Sequence, residues 1–148
     1  MWRTVQRSLA IVVVSAAVGL AVNAVSPRRI PYITPPKPVI AESEFIPLEF
    51  AHKQFGVAIF LDARAPSDYA AGHIAGAFNV PAEQFGEHFP QVASYLAPDS
   101  PIICYCDGME CELSHHLAEQ LRQQGFKDIH ILQNGWTVWS KAGYPTQP

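Results

Sequence analysis

One stretch restricts the possible folds of this chain more than any other: Ile102-Ile103-Cys104-Tyr105-Cys106-Asp107-Gly108-Met109-Glu110-Cys111-Glu112-Leu113-Ser114. After Pro101 it opens as a short apolar, β-leaning run, the pattern of a strand buried on both faces. It then breaks into a small polar loop that contains Gly108. From Leu113 a helical period takes over, with Leu113, Leu117 and Leu121 recurring every four residues and Ala118 beside them. A strand that ends in a cysteine, followed by a tight loop and a helix start, aims loop amides and a helix dipole at one thiol. Such a setting stabilises a thiolate, or an anion bound to it, and marks Cys106 as the reactive residue.

The 148 residues suffice for one domain of ordinary size plus a tail. A formal net charge of -3 gives no support to nucleic-acid binding. Three cysteines form an odd set, which argues against a disulfide-stapled scaffold and for at least one free thiol. Neither a CxxC pair nor an HExxH motif occurs, so no metal or other cofactor is expected. The neighbours His115 and His116 would point about 100° apart on a helix and read as a solvated face.

Residues 1–7 form a basic tail with Arg3 and Arg7. Leu9 to Val25 carry no charged residue, and 8–25 reads as a transmembrane anchor or signal-anchor. At 1.5 Å per residue this run reaches roughly 25 Å, just short of a hydrocarbon core of about 30 Å. Val22-Asn23-Ala24 would also pass as a cleavage site. Arginines flank both ends, so charge barely sets the orientation. The signal-like layout favours a single-pass membrane protein with its domain on the extracytoplasmic (periplasmic) side. Pro27, Pro31, Pro35, Pro36 and Pro38 make 26–41 a semi-rigid, polyproline-like linker.

The remaining residues, 42–148, form the globular part. Strands are predicted at Phe45-Ile46, Val57 to Leu61, Ala77 to Val80, the Ile102 run and Asp128 to Leu132. Helices are predicted over Leu48 to Phe55, Asp68 to Ala71, in pieces around Pro90, from Leu113 to Gly125, and over Gly135 to Ala142. This alternation implies an α/β fold with a central, mostly parallel five-stranded sheet flanked by helices. Sites in such sheets form at the carboxyl ends of strands, where both Asp62 and Cys106 fall.

Three ordered pieces carry a family resemblance. Phe60-Leu61-Asp62-Ala63-Arg64 with Gly72-His73-Ile74-Ala75-Gly76-Ala77-Phe78-Asn79-Val80-Pro81 is the first, and Tyr105-Cys106 is the second. The third is Gly125-Phe126, Leu132-Gln133-Asn134-Gly135-Trp136, Trp139 and Gly143-Tyr144-Pro145. From about Ser43 to Thr146 the chain resembles the rhodanese family. The resemblance implies a rhodanese domain whose Cys106 carries a sulfane sulfur as a persulfide, with a small-molecule or protein sulfur donor and a thiol acceptor as partners. A deprotonated persulfide is an anion that a ring of loop N–H groups can hold without a metal. Asp62 and Arg64 read as a supporting staple between loops, and His73 as a turn-fixing residue.

The loop departs from the family's pattern. Thiosulfate-using rhodaneses place a glycine and a basic residue there. Here Asp107, Gly108, Met109, Glu110 and Cys111 follow the nucleophile, with Glu112 next. Carboxylates repel a dianionic donor and raise a thiol pKa, although acids in a first helical turn are also ordinary capping. Cys111 stands five positions after Cys106, where a folded-back loop could make it a resolving thiol or leave it a core residue. Cys104 falls on the strand interior and reads as core. Two alternatives therefore stand beside sulfur transfer: a thiol–disulfide redox or sensor protein using Cys106 and Cys111, and an idle interaction module. A phosphatase needs an arginine six positions after the nucleophile, where Glu112 stands.

Overall fold

The computed structural model describes residues 2–25, 44–108 and 112–148. It divides into two compact units, Met1–Val39 and Ile40–Pro148. Within the first, α1 (Trp2–Val25) is a single helix. The expected transmembrane helix needs correction, because no helix among the described residues is long and apolar enough to cross a membrane. The uncharged run after Arg7 reaches roughly 25 Å, short of a hydrocarbon core of about 30 Å. The extracytoplasmic placement rested on that span. The proline-rich linker at 26–41 lies outside the described residues.

The second unit is an α/β domain. Its elements run α2 (Leu48–Lys53), β1 (Ile59–Asp62), α3 (Pro66–Ala71), β2 (His73–Ile74), β3 (Phe78–Asn79), α4 (Phe85–Val92), β4 (Ile102–Tyr105), α5 (Glu112–Gln123), β5 (Ile129–Leu132), α6 (Gly135–Lys141) and β6 (Thr146–Gln147). Short 3-10 turns at Ala82–Gln84 and Ala93–Tyr95 flank α4. The central sheet has the order β3-β1-β4-β5, with every pair parallel. Among the described residues it has four strands rather than the expected five. Phe45 contributes one isolated parallel bridge to Ile131, because Pro47 and the start of α2 end the extended run at once. A separate antiparallel pair joins β2 to the chain's last strand, β6.

Strand β4 lies in the middle of this sheet, and all four of its residues are buried. Its side chains alternate between two cores, as a period of two requires. Ile102 and Cys104 face Leu117, Ala118 and Leu121 of α5. Ile103 and Tyr105 face Trp139 of α6, with Phe60 and Leu132 beside them. Cys104 is thus a core residue, fully buried, with a free thiol. Burial pushes that thiol far above its ordinary value, so it stays neutral. Cys106 follows by alternation on the α5 side and is also fully buried.

Candidate active site

The sheet brings two strand ends together. Leu61 pairs with Cys104 and Asp62 with Tyr105, and the Ala63 N–H donates to the Tyr105 carbonyl at 2.9 Å. Asp62 is fully buried and accepts four bonds from Arg64: from the backbone N–H at 2.9 Å, from Nε at 3.0 Å and 3.1 Å to its two oxygens, and from Nη2 at 2.6 Å. The same Nη2 donates to the Gly72 carbonyl at 2.8 Å. Burial opposes the Arg64 charge, but the Asp62 hydrogen bonds and charge outweigh it and hold the guanidinium above its ordinary pKa. The pair therefore ties the end of β1 to the turn before β2. His73 opens β2 and is stacked on Tyr69, with Nδ1 3.0 Å from the Tyr69 carbonyl. A carbonyl can only accept, so Nδ1 carries the proton.

Cys106 sits one residue past β4. Its sulfur is engaged in a disulfide and lies 3.3 Å from Oγ of Ser114, a residue that is almost fully buried on α5. A disulfide sulfur has no proton, so the serine hydroxyl is the donor in this pair. Aimed in this way, the hydroxyl suits a reduced, anionic sulfur still better, because hydrogen bonds to charged acceptors are the stronger ones.

The loop after Cys106 is clamped from the start of α6. The Trp136 N–H donates to the Cys106 carbonyl at 3.1 Å. Oδ1 of Asn134 accepts from the Gly108 N–H at 3.0 Å, and Thr137 Oγ1 donates to Asp107. Asp107 also accepts from the Gly108 N–H at 3.0 Å, so its carboxylate serves as a fixed acceptor in the loop. Gly108 has φ +88°, a left-handed conformation that glycine adopts without strain. Of the other candidates, Met109, Glu110 and Cys111 lie outside the described residues, while Glu112 opens α5.

Gly135 makes the clamp possible by close approach. A Cβ there would stand 2.6 Å from Cβ of Tyr105, far inside contact distance. We expect Gly135→Ala to cost about 1–3 kcal/mol through forced backbone movement. Because that movement shifts Asn134, Trp136 and Thr137 together, any chemistry at Cys106 should fall as well. Parallel urea titrations and activity assays check this, and an unchanged kcat/KM would remove the clamp's functional role.

Several of these residues were missed as site residues in the sequence. Ser114 shares a helical stripe with Leu117, Ala118 and Leu121, and a polar residue on a buried stripe is the signal that could have singled it out. Asn134, at φ 51°, is the only described non-glycine residue with positive φ. Asn79 Nδ2 donates to the carbonyls of Asp62 at 3.1 Å and Arg64 at 3.0 Å, shaping the β1 loop.

A rhodanese-like domain model matches residues 49–142, which is most of the chain. The chain belongs to the rhodanese-like family. Among known structures, this rhodanese-like chain is similar to the Alr3790 protein from Anabaena, with a TM-score of 0.58 and 27% identity over 68% of this chain and 88% of that one. It is 28% identical over 96 residues to thiosulfate sulfurtransferase 16 of Arabidopsis thaliana, covering 60% of this chain and 78% of the relative. It is also 28% identical over 141 residues to the HTH-type transcriptional regulator Rv0324 of Mycobacterium tuberculosis, covering 95% of this chain but only 58% of the regulator's length. The chain thus spans less than two thirds of that relative.

Proposed function

We propose that this chain is a sulfurtransferase or sulfane-sulfur carrier that forms a persulfide on Cys106. The observation that carries this reading is the position of Cys106 Sγ at the end of the central strand, 3.3 Å from a buried serine hydroxyl. The Cys106 thiolate attacks the sulfane sulfur of a donor, the donor's bond to that sulfur breaks, and the leaving group departs with the electron pair. An acceptor thiolate then attacks the outer sulfur, and Cys106 leaves as the thiolate that began the cycle. Ser114 donates to the anionic sulfur at the start and end of the cycle. Fixed loop geometry keeps Cys106 aligned with the donor between the two steps.

A second reading is favoured by one observation, the disulfide at Cys106. Cys104 is buried and free. On this reading a dithiol reduces the Cys106 disulfide and leaves as a disulfide itself, and exchange with a second, more oxidising disulfide, which is reduced in turn, restores the starting state. Intact-mass analysis of the reduced protein separates the two. After exposure to polysulfide, we expect a gain of one or more sulfur atoms that Cys106→Ser abolishes. A loss of two hydrogens with no bound sulfur would instead select the redox protein.

A further inference from the structure

Asn134 stands between the end of β5 and the first residue of α6, where a helix is ordinarily capped. Asparagine is among the best capping residues. Its side-chain oxygen can accept from the free N–H groups of the first turn while its own backbone stays extended. Asn134 does neither. Its backbone is left-handed, at φ 51° and ψ 34°, and its side chain makes no cap hydrogen bond. Its carbonyl alone serves the helix, accepting from the Val138 N–H at 3.0 Å.

The side chain goes to the loop after Cys106 instead. Oδ1 accepts from the Gly108 N–H at 3.0 Å, across 26 positions of sequence. The same N–H is shared with Oδ1 of Asp107, also at 3.0 Å, and that carboxylate is held by Thr137. Gly108 turns the chain, with φ +88°. Fixing its amide therefore fixes the direction in which the chain leaves Cys106, whose carbonyl is held by the Trp136 N–H. Two acceptors on one N–H make Asn134 Oδ1 and the Asp107 carboxylate near neighbours. A neutral amide is tolerated there, whereas a second carboxylate would repel the first. A residue that gives up both its extended backbone and its cap for one contact is the kind of local outlier that clusters at functional sites.

We propose that Asn134 is a positioning residue for Cys106, acting through Gly108, and that its neutral side chain is what the loop requires. The reaction it serves rests on the sulfur-transfer reading; the geometry does not. Released from Asn134, the loop leaves Cys106 misaligned for a sulfur donor. It also opens the sulfur, which is fully buried in this structure, to small unselective reagents.

The test uses the full chain, reduced and then freed of reductant. Wild type and variants are loaded with inorganic polysulfide, alkylated with iodoacetamide and unfolded in urea, with alkylation at Cys106 read from fragment masses. Asn134→Gly keeps the left-handed backbone without strain and removes only the side chain. Its urea midpoint should stay at the wild-type value and its Cys106 alkylation should rise. Its sulfur loading should fall about tenfold or more, the scale on which a misplaced reacting group loses rate. A residue needed merely for the fold would lower the midpoint instead. Asn134→Asp should slow loading about fivefold at low ionic strength, through its charge beside Asp107. Adding Asp107→Asn exchanges the two side chains, leaves a single carboxylate and should restore most of the loading. Wild-type loading and alkylation in Asn134→Gly, or no recovery in the exchanged pair, would overturn the positioning role and leave persulfide formation standing. A wild type that loads no sulfur would overturn the sulfur-transfer reading, and alkylation of Asn134→Gly would still decide the role of Asn134.

Discussion

On the sulfur-transfer reading, Cys106→Ser should bring transfer down to the uncatalysed rate with any donor tested. A serine hydroxyl at the end of β4 keeps the packing but cannot carry a sulfane sulfur, so no intermediate forms. The control is Cys104→Ser, two residues earlier on the same face. There the thiol is buried beneath α5 and held neutral, so it takes no part in the chemistry. That variant should retain activity and lose about 1–3 kcal/mol, because its hydroxyl is buried among apolar residues. Discharge assays on both proteins, with urea titration alongside, make the comparison. Wild-type turnover by Cys106→Ser would remove Cys106 from the role of nucleophile.

Asp62→Ala is the second large effect, and it falls on stability. Asp62 is fully buried and Arg64 is nearly so. Deleting the carboxylate leaves the guanidinium with the Gly72 carbonyl and the rings of Trp136 and Tyr105, 5.0 and 6.0 Å away, in place of a countercharge. Breaking one side of a buried pair costs about 3–5 kcal/mol, because the remaining charge is uncompensated. The double variant Asp62→Ala plus Arg64→Leu should recover part of that loss, since no buried charge remains. Urea midpoints of wild type, both single variants and the double variant close the cycle. A loss below about 1 kcal/mol in Asp62→Ala would mean that Arg64 turns to Asp68 or Asp107 at little cost.

The legible parts of this fold were those in which a side-chain period decided the structure. The apolar run at Ile102 and the four-residue spacing from Leu113 to Leu121 match β4 and α5 because burial on the sheet and on the helix imposes those periods. Where tertiary contacts decided, the pattern was silent. The pairing of Thr146 and Gln147 with His73 and Ile74 is only two residues long, too short to leave an alternation. Phe45-Ile46 has strand-like residues, but Pro47 limits it to a single bridge. In the site, a terminal cysteine on a buried strand was visible as chemistry. Its supports were not, because Asn134 and Thr137 are ordinary polar residues in sequence. Only the close packing of Gly135 on Tyr105 turns them towards the loop.

The clamp also sets a timetable. Asp107 is tied to Thr137, thirty positions later in the chain. The reactive cysteine is therefore made well before the segment that holds its loop. At about 5–20 residues per second, that interval lasts on the order of two to six seconds during synthesis. For most of it β4 also lacks β5 on one edge, because β5 is made only near its end. The nascent thiol is then chemically present but geometrically unorganised, and it faces whatever oxidants or thiols share its compartment. A chain interrupted between Cys106 and Asn134 would carry Cys106 as a loose thiol, able to form adventitious disulfides because the contacts from Asn134 and Thr137 that hold its loop are not yet made.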